Sequence, residues 1–151
     1  MMYFSSGEVP EGDYRVPLGK AAVARQGTDV TIISYGRQVQ EAMSAASQLE
    51  GDGVSAEVID LRWLAPLDEA TIIESARKTG RVIVFHEAVT RLGLGAEISA
   101  VITEELFSVL RGPVLRVGGQ NSPIPYARSL ETAFQPSAAA VVEAAQQLMK
   151  A

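Results

Sequence analysis

Apolar positions along the chain alternate between two kinds of segment. Short β-branched runs at Asp29–Gly36, Ser55–Arg62 and Arg81–Glu87 are almost continuously apolar, which is typical of strands covered on both faces. The segments between these runs carry apolar residues at a helical spacing. The alternation predicts an α/β fold, in which a mostly parallel sheet has helices on both faces.

The stretches between and after the runs predict four helices with recognisable end signals. They span Arg37–Glu50, Asp68–Thr79, about Gly95–Leu110 and Ser137–Lys150. In the second helix Asp68 is the expected N-cap, and Leu67 and Ile72 flank it at the positions of a hydrophobic staple. Gly80 is the expected stop of the second helix, and Gly112 that of the third.

The remaining segments predict the order within the sheet and its connections. Arg81–Glu87 is the most apolar run and is therefore the predicted central strand, and Lys20–Gln26 is predicted to be an edge strand of undetermined direction. A last strand, Pro113–Val117, leads into GGQNSPIPYARS, which we predict to be an ordered loop because its prolines limit the backbone. Residues 1–18 are predicted to be a linker or arm and residues 19–151 a domain.

Composition narrows the chemistry that this domain can carry. The 151 residues include no cysteine and one histidine, which excludes disulfides, thiolate metal sites, a cysteine nucleophile and a multi-histidine metal site. The net charge of −5 and the scattered basic residues disfavour a nucleic-acid partner. No apolar run approaches the ~20 residues that span a bilayer, so we expect no membrane association and a cytoplasmic location.

His86 and Glu87 are the polar pair best placed for a functional role. They lie at the carboxyl end of the predicted central strand, where open α/β sheets usually place ligands. A histidine tuned by a neighbouring carboxylate could act as an acid or base. Adjacent strand residues point to opposite faces, however, so we expect a structural or interface role rather than catalysis.

Two other motifs have structural explanations that we prefer. RLGLGAEI places Gly93 and Gly95 between a strand and a helix, like a dinucleotide-binding turn, but Ile98 stands where the third glycine should be. We expect these glycines to allow a tight turn and close helix packing. Ser34 lacks the glycine pattern of a hydrolase nucleophile, which excludes that class.

The whole chain also resembles a known family. The resemblance lies in the order and spacing of the segments VPLGKAAVARQGTDVTIISYG, AEVIDLRWLAPLDEATI, KTGRVIVFHEA, GLGAEISAVITEE and PIPYA. They resemble the transketolase-like C-terminal domain of 2-oxo acid dehydrogenase E1 component β subunits. The resemblance implies a three-layer α/β/α sandwich with a mostly parallel five-stranded sheet and one antiparallel edge strand, which would be Lys20–Gln26.

What the family does is implied by the resemblance alone. Such an enzyme is an α2β2 heterotetramer that decarboxylates a 2-oxo acid on thiamine diphosphate and Mg²⁺ and acylates the lipoyl group of the E2 component. The cofactor is bound between domains outside this chain, so we expect this domain to be inactive by itself, with no catalytic, cofactor or metal residues. Residues 1–12 would then belong to a linker within a longer β subunit. The GDG at Gly51–Gly53 matches the family's metal motif only by accident, because the sole asparagine, Asn121, is far away.

The expected role of the domain is therefore assembly. Its partners would be the E1 α subunit, a second β subunit and the subunit-binding domain of the E2 lipoyl acyltransferase. We place the interface around Glu87, Arg91, Tyr126 and Arg128, because Tyr and Arg are enriched among interface anchors. Tyr126 could alternatively pack its own loop.

Three questions stay open at this point. The substrate is not encoded: pyruvate and branched-chain 2-oxo acids are favoured over acetoin. Another transketolase-group enzyme could have the same C-terminal domain. A free-standing flavodoxin-like module with a ligand near Gly36, His86 and Gly119 is the alternative from a different class.

Overall fold

The sheet at the centre of the fold has five strands, four of them parallel. In the computed structural model, which describes residues 7–8 and 10–150, the strands are Ala22–Arg25 (β1), Val30–Ser34 (β2), Ala56–Asp60 (β3), Val82–Val89 (β4) and Leu115–Gly119 (β5). Their order is β1-β3-β2-β4-β5. Only β1 is antiparallel to its neighbour, β3. The mostly parallel sheet with one antiparallel edge strand is therefore confirmed.

Five helices cover the sheet and its carboxyl edge: Gln38–Gly51 (α1), Glu69–Thr79 (α2), Leu94–Leu106 (α3), Arg128–Phe134 (α4) and Ala138–Met149 (α5). One apolar cluster joins α1 and α5 to one face of the sheet. A second joins α2 and α3 to the other face. This arrangement is the predicted three-layer sandwich. None of the described helices is long and apolar enough to cross a membrane.

Strand β2 shows why its sequence forms a strand of this kind. All five of its residues are buried. Ile32 belongs to the cluster under α1 and α5, and its neighbour Ile33 belongs to the cluster under α2 and α3. Side chains of a strand alternate between faces, so both faces must be apolar when both are covered.

The start of α2 is fixed by Asp68, as predicted. Its carboxylate accepts hydrogen bonds from Thr71 N (3.4 Å) and Thr71 Oγ1 (2.9 Å), and from Ala21 N (3.1 Å) just before β1. Gly80 ends the helix with φ +68°, a conformation that favours glycine. One side chain thus caps α2 and attaches the edge strand to it.

Three predictions about the elements were wrong. The middle strand is β2, because β4 lies between β2 and β5. Helix α3 ends at Leu106 rather than at Leu110, because Arg111 N donates to Gly80 O (2.7 Å) and draws the chain towards the end of α2. The segment predicted to be a loop ends in the short helix α4, which has no buried residue and therefore no apolar stripe in the sequence.

A buried carboxylate lies between the sheet and α2. Glu57 on β3 is paired with Lys78, and it accepts hydrogen bonds from Ser75 Oγ and from Gly27 N (3.3 Å). Ser75 Oγ also bonds Thr31 Oγ1 at 2.9 Å. The carboxylate is therefore compensated by one cation and two neutral donors, as a buried charge requires.

We expect Lys78→Met to lower the free energy of unfolding by about 2 kcal/mol. Removing one partner of a buried ion pair typically costs about 3–5 kcal/mol, and the partial exposure of Lys78 reduces this. The double variant Glu57→Gln/Lys78→Met should recover part of the loss. Urea unfolding measures both, with Lys150→Met as a control at an exposed position; strictly additive losses would contradict the coupling.

Candidate functional site at the carboxyl edge of the sheet

The carboxyl ends of β2 and β4 meet at the point where the sheet changes direction. From β2 the chain moves to β3 on one side, and the later β4 adds on the other side. Open α/β sheets usually bind ligands in the crevice at such a switch point. Tyr35 and Gly36 follow β2 here, and His86 and Glu87 lie near the end of β4.

His86 is enclosed within this edge. Its Nδ1 lies 2.9 Å from the carbonyl oxygen of Ala88. Because a carbonyl can only accept, Nδ1 donates and Nε2 is the unprotonated nitrogen of the neutral ring. The ring stacks on that of Tyr35 with centroids 6.1 Å apart, and Nε2 has no hydrogen-bond partner among the described residues.

Glycines form the wall around this imidazole. A Cβ at Gly95 would lie 2.4 Å from His86 Nε2, and Cβ atoms at Gly93 and Gly118 would lie 3.3 and 3.1 Å from Cε1. The glycines of RLGLGAEI therefore let the start of α3 pack on His86, as we expected. The sequence did not reveal Gly118, because it lies on a different strand.

The same enclosure sets the charge states of the two rings. Burial lowers the pKa of His86, the charge of Arg116 lowers it further, and the hydrogen bond to Ala88 O opposes this in part. Burial also raises the pKa of Tyr35, as does the nearby charge of Glu87. Both side chains are therefore neutral near pH 7.

The four predicted interface residues are exposed on two neighbouring segments. Glu87 and Arg91 lie on the segment from β4 to α3, and Tyr126 and Arg128 lie on the segment after β5. The two segments are brought side by side because Val89 pairs with Gly119. Glu87 is exposed whereas His86 is buried, so the two side chains have different surroundings.

Tyr126 is fully exposed, so the alternative that it packs its own loop is wrong. Ile124, Leu130 and Leu92 are also largely exposed on these segments. We call residues 124–130 the α4 surface. It joins apolar side chains to Arg128 and rests on a helix with no buried residue.

The other motifs have the structural roles expected of them. Gly51 is the last residue of α1, and Gly53, with φ +78°, turns the chain after it. Ser34 is buried. Within residues 7–8 and 10–150, no group of three His, Asp or Glu side chains could hold a metal ion.

Sequence reasoning missed a cavity on the other side of the edge. It has a volume of about 470 Å³ and lies beside the ends of β2 and β3. Its lining includes Gly36, Asp60 and Trp63. A cavity cannot be read from periodicity, because its lining comes from segments far apart in the chain.

Buried neutral His86 should make stability depend on pH. The unfolded histidine titrates near 6.5, and the folded one titrates lower. Below pH 6.5 the unfolded state therefore binds the proton first, so stability is full above pH 6.5 and falls as the pH drops towards the folded pKa. Urea unfolding between pH 5 and 7.5 should show a flatter profile for His86→Asn; equal slopes for both proteins would contradict this.

The sequence matches the family model described as transketolase, C-terminal domain, over residues 19–141. It is 41% identical over 149 residues to the β subunit of acetoin:2,6-dichlorophenolindophenol oxidoreductase from Cupriavidus necator, covering 99% of this chain and 44% of that protein. It is 45% identical over 143 residues to the pyruvate dehydrogenase E1 component subunit β of Bacillus subtilis, covering 95% and 44%. The chain thus spans less than half the length of these relatives.

A solved structure has the same fold. It is described as a split gene transketolase, an inactive β4 tetramer, and it superimposes with a TM-score of 0.79 at 33% identity. The match covers 95% of this chain and 46% of that one. The resemblance read from the segments is confirmed. The chain belongs to the transketolase C-terminal domain family, and β subunits of pyruvate dehydrogenase E1 components are among its relatives.

Proposed function

We propose that this chain is the C-terminal assembly domain, residues 19–151 after a linker, of the β subunit of a 2-oxo acid dehydrogenase E1 component. The observation that carries the proposal is the α4 surface. Helix α4 has seven residues and none is buried. A helix this short is unstable by itself in water, so packing against a partner would account for it.

The domain would contribute contacts and no catalytic group. In the full enzyme, thiamine diphosphate and Mg²⁺ would be held between the other domain of the β subunit and the E1 α subunit, where the cofactor supports decarboxylation of the 2-oxo acid. His86 is a poor candidate for a catalytic base because glycines enclose its ring. The isolated domain should therefore have no dehydrogenase activity.

The partners would be the E1 α subunit, a second β subunit and the subunit-binding domain of the E2 lipoyl acyltransferase. Glu87, Arg91, Tyr126 and Arg128 provide charges of both signs and an exposed aromatic ring on adjacent segments. Stable interfaces bury about 1,200–2,000 Å² in total, so these residues would be the centre of a larger contact. Relatives named for pyruvate and for acetoin leave the substrate open, and the cytoplasmic location stays a prediction.

A second candidate is another enzyme of the transketolase group, which the similarity to a split gene transketolase favours. That enzyme would have no lipoyl-bearing E2 partner. Binding of an E2 subunit-binding domain therefore distinguishes the two candidates.

We expect Tyr126→Ala to weaken binding of the E2 subunit-binding domain at least 10-fold. Truncating an aromatic anchor commonly costs more than about 1–2 kcal/mol. Isothermal titration calorimetry measures the affinity. The matched control is Phe107→Ala, which removes an exposed aromatic ring outside the α4 surface. Unchanged binding by Tyr126→Ala, or no binding by the unaltered chain, would contradict the assignment.

The unaltered chain should also self-associate, because surfaces that meet a second β subunit are exposed. Sedimentation velocity over a range of concentrations should show a growing dimer fraction. Leu130→Ser should reduce that fraction, since it makes the α4 surface more polar. A monomer at every concentration would count against a β–β contact through this domain.

A further inference from the structure

The cavity beside β2 and β3 has the size and position of a small-molecule site. Its volume of about 470 Å³ falls within the range of about 300–1,000 Å³ that is usual for such sites. It opens at the carboxyl ends of two parallel strands. Its lining residues are Tyr14, Val16, Gly36, Asp60, Arg62 and Trp63.

The order of elements around the cavity is that of a nucleotide-binding βαβ unit. Strand β2 is followed by a turn at Gly36, by α1 and by β3, which ends at Asp60, 24 residues after Gly36. Pairing of Ser34 with Asp60 brings both ends to one edge. In such units, phosphate lies at the helix N-terminus, and an acidic residue at the end of the second strand binds the ribose hydroxyls.

The start of α1 can accept a phosphate. Gly36 has φ +61°, and a Cβ there would meet no atom within 4 Å, so the space in front of the turn is open. Val39 N donates to Gly36 O (3.2 Å) and Gln40 N to Arg37 O (3.0 Å). The amides before these two lie at the helix end, where N–H groups and the helix dipole favour an anion.

Aromatic side chains provide the opposite end of the cavity. Arg62 has φ +55°, and Trp63 N donates to Leu61 O at 2.5 Å, so the chain makes a tight turn at Arg62. Arg62 N donates to Asp60 Oδ1 at 3.1 Å, which supports this turn. The turn brings Trp63 into the lining together with Tyr14, and flat aromatic faces are surfaces on which nucleobases stack.

We propose that this cavity binds a purine mononucleotide. The base lies against Trp63 and Tyr14, the ribose hydroxyls donate to Asp60, and the phosphate lies at the start of α1 near Arg37. The turn has one glycine instead of the three of a dinucleotide fingerprint, which favours a mononucleotide over a dinucleotide. The site involves none of the residues of the α4 surface, so it is independent of the assembly function.

Trp63 is the only tryptophan of the chain, so its fluorescence reports on the cavity directly. Titration of the full chain with AMP should quench this fluorescence to saturation. Adenosine should bind at least 10-fold more weakly because it lacks the phosphate, and 2′-deoxy-AMP should also bind more weakly because it lacks a ribose hydroxyl. Inorganic phosphate alone should leave the fluorescence unchanged.

Asp60→Asn should weaken AMP binding about 10-fold and remove the preference for AMP over 2′-deoxy-AMP. The asparagine keeps an oxygen that can accept from Arg62 N, so the turn is retained. The control is Asp52→Asn, which neutralises an exposed acid at the opposite end of α1. Urea unfolding checks that both variants are folded.

Two results would overturn the proposal. One is the absence of any change in Trp63 fluorescence with AMP, ADP or GMP at millimolar concentration. The other is equal AMP affinity of the Asp60→Asn and Asp52→Asn variants. Binding of the E2 domain is measured separately on the same proteins, so failure of the nucleotide site and failure of the assembly function are distinguishable.

Discussion

The burial of β2 on both faces determines the rest of the structure. Every residue of this strand is buried, so an apolar layer must cover each side of the sheet. Helices α1 and α5 form one layer and α2 and α3 the other. Burying one Val or Ile side chain stabilises the fold by about 1.5–3 kcal/mol, so a missing layer would cost many such terms.

The same sheet gives its carboxyl edge two halves with different properties. On the β4 and β5 side, glycines close around His86 and leave no space for a ligand beside the ring. On the β2 and β3 side, the turn at Gly36 leaves an open cavity. The closed half holds the segments that carry Glu87 and Tyr126 next to each other, as an interface requires, whereas the open half has the shape of a ligand site.

The sequence predicted those features that depend on periodicity and local signals. The strands, the cap at Asp68 and the stop at Gly80 follow from short-range rules, and the structure has each of them. The neutral, enclosed state of His86 could not be predicted, because Tyr35, Gly95 and Gly118 reach it from three different segments. Helix α4 was missed for the opposite reason: its apolar residues face outwards, so no buried stripe marks it.

Whether the domain works inside a larger assembly is tested most directly by the state of the native protein in its source cells. Size-exclusion chromatography of a cell extract, followed by immunoblotting with antibodies against this chain, gives both the size of the complex and the length of the polypeptide. We predict a large complex containing a polypeptide of about twice this length, as two ordinary domains require. A polypeptide of this length that elutes alone would contradict the assembly function and would favour a free-standing binding module.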